Sequence, residues 1–413
     1  MKCRLFFIIL LILLTRCEGK KIAHPLISPH GVTIFLPRPS ITSKKDEVKL
    51  LPVLKSKKKE VIPTLPQRNQ DSLIIRKLNY LRTQKIDLDL NEPGSRSFFF
   101  SQQANSKFPT MITLAQESFF RVGFDNDILD YTDRFYTNGI RLDWISKVLQ
   151  MNPASHLMVP YWGAGMNYYG ISLVQNMYTP STTKTGGILY GDRPYAAYLY
   201  LKSFKITNDA SHGFRQRSEL DLGIIGPDSF GGWVQKSFHN TVPSNNEPLG
   251  WEYQIHNDLV LNYSIIFEKG VIKKKYLDLL LISSGTMGTL YTNMSGGFQL
   301  RTGWMNPFFS NLGISRRNFT AESKLQKFQL FLFLTGNAKI IGYDATLEGG
   351  MINKSSPYTL PSNKISRFVF QNSVGITMTY QGFRFDIEQF LLSPEYEQGW
   401  WHKWVHIGLS FCL

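Results

Sequence analysis

Beyond about residue 113 the chain alternates apolar and polar residues with a period of two. Ile140, Leu142 and Trp144 share one parity, while Arg141 and Asp143 take the other. Leu220, Leu222 and Ile224 alternate with Glu219, Asp221 and Gly223, and Phe383, Phe385 and Ile387 alternate with Arg384, Asp386 and Glu388. A further run sets Ile255, Leu259, Leu261, Tyr263 and Ile265 against Gln254, His256, Asp258, Asn262 and Ser264. Successive side chains of a strand point to opposite faces, so these runs predict strands with one apolar and one polar face. Clusters of Asn, Gly, Ser and Pro separate them. A soluble sandwich alternates in the same way. Here the polar face carries full charges, as the interior of a transmembrane barrel can. Val405 to Leu413 reads as a last strand, with Phe411 two positions before the end.

The first quarter of the chain has a different texture. Prolines recur at 25, 29, 37, 39, 52, 63 and 66, and no helical period is sustained, with Leu73 to Leu81 the one candidate for a short helix. Residues 20–112 are therefore expected to be a Pro-rich extension, largely disordered and dispensable for membrane insertion and chemistry. Ahead of it, Lys2 and Arg4 precede an unbroken apolar run from Leu5 to Leu14, too short to span a bilayer. Cys17 and Gly19 supply small residues before Lys20, so residues 1–19 read as a cleaved signal peptide. Arg16 beside Cys17 fits a lipoprotein site poorly. After that cut Cys412 is the one cysteine left, which excludes an intrachain disulfide and a Cys-rich zinc site. It is expected to be a small packed residue.

No later segment offers 18 uninterrupted apolar residues, so an exported protein that reaches the membrane does so with strands. With 14% aromatic residues, an export signal and strand texture throughout, 113–413 is expected to be an all-β, antiparallel transmembrane β-barrel in an outer membrane. Trp400, Trp401 and Trp404 would suit an interfacial girdle.

Charge alters the picture less than its total suggests. The net charge is +15, but residues 20–110 hold 12 Lys and 5 Arg against 7 acidic side chains. Residues 1–19 add three basic groups against one, which leaves only +3 for 111–413. Nucleic-acid binding needs a clustered basic surface and is not expected of the barrel. The dense run Lys55, Lys57, Lys58 and Lys59 falls in the extension.

Three polar segments interrupt the strand pattern. Phe124-Asp125-Asn126-Asp127, followed by Tyr131 to Gly139, could supply oxygen ligands to a hard cation or form an Asx-rich turn. Tyr178-Thr179-Pro180 precedes Gly191-Asp192-Arg193-Pro194-Tyr195, which reads as a turn with an ion pair. Gly226-Pro227-Asp228 leads through Trp233 and Gln235 to His239, and then to Glu247-Pro248-Leu249-Gly250-Trp251. A loop His is either a general base or a surface residue. There is no Gly-x-Ser-x-Gly elbow and no Gly-rich phosphate loop.

In order along the chain, "FDND", "TDRFYTNG", "YTP", "GDRPYA", "LGIIGPD", "WVQ" before His239, and "EPLGW" resemble the lipid A 3′-O-deacylases of the Gram-negative outer membrane. Asn353 to Leu360 and Gly399 to Trp404 are similar to that family as well. The resemblance covers roughly 117–413. It implies a twelve-stranded barrel and a calcium-dependent hydrolase that removes the acyloxyacyl chain at the 3′ position of lipid A. By position it implies His239 as general base, Glu247 as its acidic partner, Asn126 and Thr137 as positioning groups, and Asp127 as a calcium ligand. Strict spacing of the acidic partner lands on Asn245 or Asn246, and Glu247 fits with a small gap. Lys184, Arg134 and Arg193 become the cations that would meet lipid A phosphates. Thr137 shares parity with Arg141 and Asp143, which assigns it to the polar face. A monomer is expected. The rival readings are an outer-membrane phospholipase, which would need a nucleophilic Ser, and a non-enzymatic pore or adhesin.

Overall fold

A computed structural model describes residues 112–127, 132, 134–239, 248–314 and 325–413, with the backbone alone at Phe238 and His239. The expected signal peptide and all of the extension but Ile112 lie outside these residues. Thirteen strands follow in chain order: β1 (Ile112–Leu114), β2 (Phe119–Asn126), β3 (Phe135–Ile145), β4 (Gly165–Thr179), β5 (Ala196–Asp209), β6 (Phe214–Ile225), β7 (Asp258–Lys274), β8 (Leu277–Gly288), β9 (Tyr291–Trp304), β10 (Phe328–Asp344), β11 (Phe368–Tyr380), β12 (Phe383–Leu392) and β13 (His402–Cys412). Two helices, α1 (Gly231–His239) and α2 (Ala345–Glu348), lie in the connections.

Strands β2 to β13 form a closed antiparallel barrel of twelve. Neighbours in sequence pair throughout, and β13 returns to β2, with Phe411 opposite Phe120 and Val405 opposite Asn126. Closure removes every sheet edge along the barrel wall, which a strand in lipid requires. β1 pairs in parallel with the start of β4, which β3 leaves bare below Gly170. Both ends of the barrel chain lie at one end of the barrel. Tight turns at 210–213, 275–276 and 381–382 close that end, and most of the longer connections lie at the other. By this asymmetry the end with the termini is periplasmic.

The alternation read from the sequence becomes wall and lumen. Leu201, Leu222, Leu259 and Leu261 are each 44–57% exposed on the outer face. Charged residues of the opposite parity turn inward as ion pairs: Lys202 with Glu219, Arg215 with Glu268, Arg301 with Asp278, and Arg384 with Asp386. The 305–314 segment folds into the periplasmic mouth. Leu312 and Ile314 pack there against Phe119, Ile145, Tyr168, Phe204 and Cys412. Arg121 and Arg215 hold that segment through the carbonyls of Leu312 and Asn311, both at 3.0 Å. Cys412 is thus a packed residue, as expected. Trp404 is not in a girdle. It lies on the lumen parity of β13, 6% exposed, stacked on Phe390 at 4.9 Å, and only Trp400 and Trp401 are exposed.

Candidate active site

The β2–β3 hairpin carries the first of the sequence motifs, and its two faces divide the labour. Alternation sends Arg121, Gly123 and Asp125 to the lumen and Phe124 and Asn126 to the outer wall. The Asn126 side-chain amide donates to the Thr137 carbonyl at 3.1 Å, tying the two strands together. Asp127 follows the strand and is 2% exposed. Its Oδ2 accepts from the Thr132 hydroxyl at 2.7 Å and from the Arg134 backbone N–H at 3.0 Å, which ties the end of β2 to the residues just before β3.

β3 begins irregularly. Phe135 has φ +60°, a left-handed conformation that costs a bulky residue on the order of 1–3 kcal/mol and that concentrates at functional sites. Two residues later the register with β4 slips between Tyr136 and Asn138, so Thr137 is the extra residue of a β-bulge. Counting parity back from Arg141 therefore fails at Thr137. Tyr136, of the opposite parity, is the residue inside the lumen. Its hydroxyl donates to Asp125 Oδ2 at 2.6 Å, and it packs on Tyr178 and Trp404. The Thr137 hydroxyl instead donates to the Met177 carbonyl at 3.4 Å, and the residue is 2% exposed.

A bulge leaves backbone groups without ladder partners, and side chains take them up. The Tyr136 carbonyl lies 2.9 Å from His402 Nε2, and the Thr137 carbonyl accepts from Asn126. Asp125 Oδ1 is 2.6 Å from His406 Nδ1, so Tyr136, Asp125 and His406 form a lumenal chain behind the bulge. Gly139 is required there, because a Cβ at that position would collide with the Tyr136 hydroxyl and lie 3.0 Å from Asp125 Oδ2.

The third motif folds back onto the outer wall. Met177 and Ala197, on the outward parities of β4 and β5, are fully buried because α1 covers them. Gly231 makes this approach possible. A Cβ there would collide with that of Ala197 and lie 3.1 Å from Met177 Cγ. The segment before α1 is fixed by Gln175, whose amide donates to the Ser229 carbonyl at 2.5 Å. Within the motif, the Trp251 indole N–H donates to Gln235 at 2.7 Å. Thr137 is thus one hydrogen bond from Met177, and Met177 lies against the start of α1. His239 is the last residue of α1, and its side chain lies outside the description, as do Glu247, Asn245 and Asn246. The chain that follows Glu247 returns beside Lys184: the Leu249 N–H donates to the Thr183 carbonyl at 2.8 Å, and Lys184 is exposed.

The other two expected cations differ from each other. Arg134 lies over the rings of Trp400 and Phe135, at 5.1 and 5.7 Å. Arg193 is 1% exposed, paired with Glu395, bonded to the Thr346 hydroxyl at 2.6 Å and stacked over Tyr178 at 4.2 Å. Burial acts to lower its basicity, and the Glu395 and Asp344 carboxylates more than offset that, so its pKa lies above the ordinary value. Asp192 of the same motif accepts from Tyr396 at 2.5 Å and from the Ser181 N–H at 2.8 Å. The "GDRPYA" motif therefore clamps the 180–195 connection to 393–401 and to α2. His256 precedes β7 instead of lying in it, with Nδ1 3.1 Å from the Ser355 hydroxyl.

Two residues that sequence reasoning passed over, His402 and His406, are separated from the β2–β3 hairpin by most of the chain. The run His402, Trp404, His406 was the available signal: polar and aromatic residues on one strand parity. Among the described residues no group of three or more His, Cys, Asp or Glu side chains is arranged to hold a metal ion. The Asp127 carboxylate offers oxygen, and that chemistry suits a hard cation such as calcium.

Twelve antiparallel strands with an apolar outer wall and an ion-paired lumen define an outer-membrane β-barrel, and the buried Thr137 hydroxyl, bonded to the Met177 carbonyl beside α1, gives its wall a candidate site. The family model described as "Outer membrane protein LpxR" matches residues 97–413. The chain belongs to that family, the lipid A 3′-O-deacylases of the outer membrane. Among solved structures it is similar to LpxR from Salmonella typhimurium, with 19% identity and a TM-score of 0.57 over 71% of this chain and 100% of that one. The β domain of the Bordetella autotransporter BrkA is also matched, with 10% identity and a TM-score of 0.34 over 71% of this chain and 97% of that one. No curated protein matches.

Proposed function

We propose that this chain hydrolyses the ester that links the acyloxyacyl chain to the 3′ position of lipid A, acting as a monomer. The observation that carries the reading is α1, seated on the outer wall over Met177, whose carbonyl accepts from Thr137. Chemistry on the outer wall faces lipid, so a lipid substrate reaches it without leaving the membrane. His239 takes a proton from the attacking water and returns it to the departing 3′ oxygen as the acyl C–O bond breaks, releasing the acyloxyacyl group as a carboxylic acid, and Glu247 holds the imidazole in the tautomer that can do so. Thr137 orients the water from its bulge, and Asn126 keeps the bulge in place. Lys184 and Arg134 meet phosphate oxygens. Arg193 acts from behind the wall, because a phosphate would have to displace Glu395 to reach it. Asp127 is the residue to hold calcium, which when bound supplies positive charge to the developing oxyanion.

The test is mass spectrometry of lipid A from cells carrying the wild-type chain, the His239→Ala variant or neither. Wild type alone should lose the 3′ acyloxyacyl group. A positioned general base contributes about 10²–10⁴-fold, so His239→Ala should leave lipid A essentially intact with the barrel still folded. Excess chelator should suppress the wild-type reaction in membrane preparations. Unchanged lipid A in all three strains would favour a pore or adhesin, and loss of phospholipid acyl chains would favour the phospholipase.

A further inference from the structure

The connection from β3 to β4 is long for a periplasmic turn, and it does not hang free. Residues 147–151 and 153–157 form two short 3-10 helices, and the segment then runs through Val159, Pro160 and Tyr161 to β4. Its partners are on the outside of the barrel. Lys202 and Glu219 pair in the lumen, and Arg215 and Glu268 do the same. Ser203, Gln216 and Tyr263 have the opposite parity on β5, β6 and β7, shared with Leu201, Leu222 and Leu261 of the lipid-facing wall. All three hold the connection. The Asn152 amide donates to the Ser203 hydroxyl at 3.1 Å. The Gln216 amide donates to the Val159 carbonyl at 3.0 Å. The Tyr263 hydroxyl donates to the Leu157 carbonyl at 2.9 Å and lies 3.2 Å from the Val159 nitrogen. Tyr161 stacks on Phe214 at 5.7 Å and donates to Asp209 at 2.8 Å. Gln216 and Ser218, polar residues on an outward parity, are 7% and 1% exposed.

The connection is therefore a strap across the outer wall, and its own outer surface carries large apolar side chains with Lys147, Gln150 and His156 exposed among them. Met151 is 86% exposed, Trp162 81%, Leu157 63% and Val148 51%. Irregular backbone is not tolerated against hydrocarbon, whereas apolar side chains on an irregular, partly solvated backbone suit the headgroup–acyl boundary. We propose that this strap lies in the periplasmic leaflet's interface, with Val148, Met151, Leu157 and Trp162 inserted among phospholipid chains, and that it marks where the hydrocarbon ends on this side of the barrel. Its continuity with the lipid-facing wall identifies the occupant: the same leaflet that covers Leu201 and Leu222 covers the strap. The inference is independent of the deacylase reading.

Single nitroxide labels at Met151→Cys, Leu157→Cys and Trp162→Cys, in full-length barrel reconstituted in phosphatidylethanolamine–phosphatidylglycerol vesicles, test it. Lys275→Cys in the β7–β8 turn serves as the aqueous reference, and unsubstituted protein labelled in parallel gives the background. The ratio of oxygen to nickel-chelate accessibility should be several-fold higher at all three strap positions than at Lys275→Cys. Ratios equal to the reference would overturn the proposal and put the strap in water. Dipolar broadening between labels at high protein density, absent on dilution with unlabelled protein, would also overturn it, because a second copy of the chain would then be the occupant.

Discussion

His402 braces the backbone at the Thr137 bulge. Its Nε2–H satisfies the Tyr136 carbonyl, which the Thr137 bulge leaves without a ladder partner, and its ring is held between Phe135 and Trp404. A buried carbonyl without a donor costs about 1–3 kcal/mol. The bulge is the element free to move in response, so the cost should appear in catalysis and not in assembly. Each 1.36 kcal/mol is a factor of ten in rate, so His402→Phe, which keeps the stacking and removes the donor, should lose roughly 10- to 100-fold in deacylation. Its heat-modifiable migration should be unchanged. His402→Gln, which can still donate, should recover most of the activity. Equal losses in both variants would show that the ring's packing matters and its proton does not. Glu247 and the His239 side chain enter the proposed site by resemblance to the family alone, whereas Asn126, Asp127 and Thr137 also have a described geometry.

At the scale of elements, α1 is held to the wall by the absence of one side chain. Carbon atoms pack at about 3.5–4.0 Å. A methyl group at Gly231 would overlap the Ala197 Cβ, so Gly231→Ala must move α1 away from Met177 by a substantial fraction of an ångström or more. A displacement of about 1 Å in a catalytic group can cost about 10²-fold. Gly231→Ala should therefore lower turnover by that order, with the fraction of folded barrel in a gel-shift assay near wild type. Paired with Ala197→Gly, which makes room for the added methyl, activity should return. No rescue by the double variant would mean that helix seating is not what the substitution disturbs. The sequence was legible here in part. Alternation named the strands, because one face meets lipid and the other meets charge. It misplaced Thr137, since one bulge residue inverts every count made across it. It misassigned Trp404, since an aromatic on a strand of this barrel packs in the lumen as readily as in a girdle. That α1 lies outside the barrel was not readable, because the covered wall residues, Met177 and Ala197, are as apolar as residues facing lipid. The strap was hidden for a related reason: Ser203 and Gln216 occupy outward positions, and only the contacts show what covers them.

For the whole molecule, the question is where the barrel begins. Alternation placed the start at about 113, and β1, from Ile112, lies outside the closed ring of twelve but is joined to it. It pairs with Gly165 to Asn167 of β4, below the point where β3 ends, and the Ala115 N–H donates to the Asn167 carbonyl at 3.0 Å. Ala115 is 5% exposed and packs with Phe119, Ile145, Tyr168, Leu312 and Ile314, the apolar layer that fills the periplasmic mouth. Removing 20–105 leaves all of these contacts, and such a chain should insert, migrate as a heat-modifiable barrel and deacylate like the full-length protein. Extending the deletion through Ala115 strips the bare edge of β4 and opens the mouth behind Phe119. Unpaired backbone at the water-exposed end of a strand is tolerable, so the longer deletion should still insert. It should nonetheless be cleaved faster by protease from the periplasmic side and lose its gel shift at a lower temperature. Activity should fall less than stability, since the bulge and α1 lie at the opposite end of the barrel. If both deletions match full-length protein in protease resistance and heat stability, β1 contributes nothing to the barrel. If the shorter deletion alone abolishes assembly, the leader itself is required for insertion.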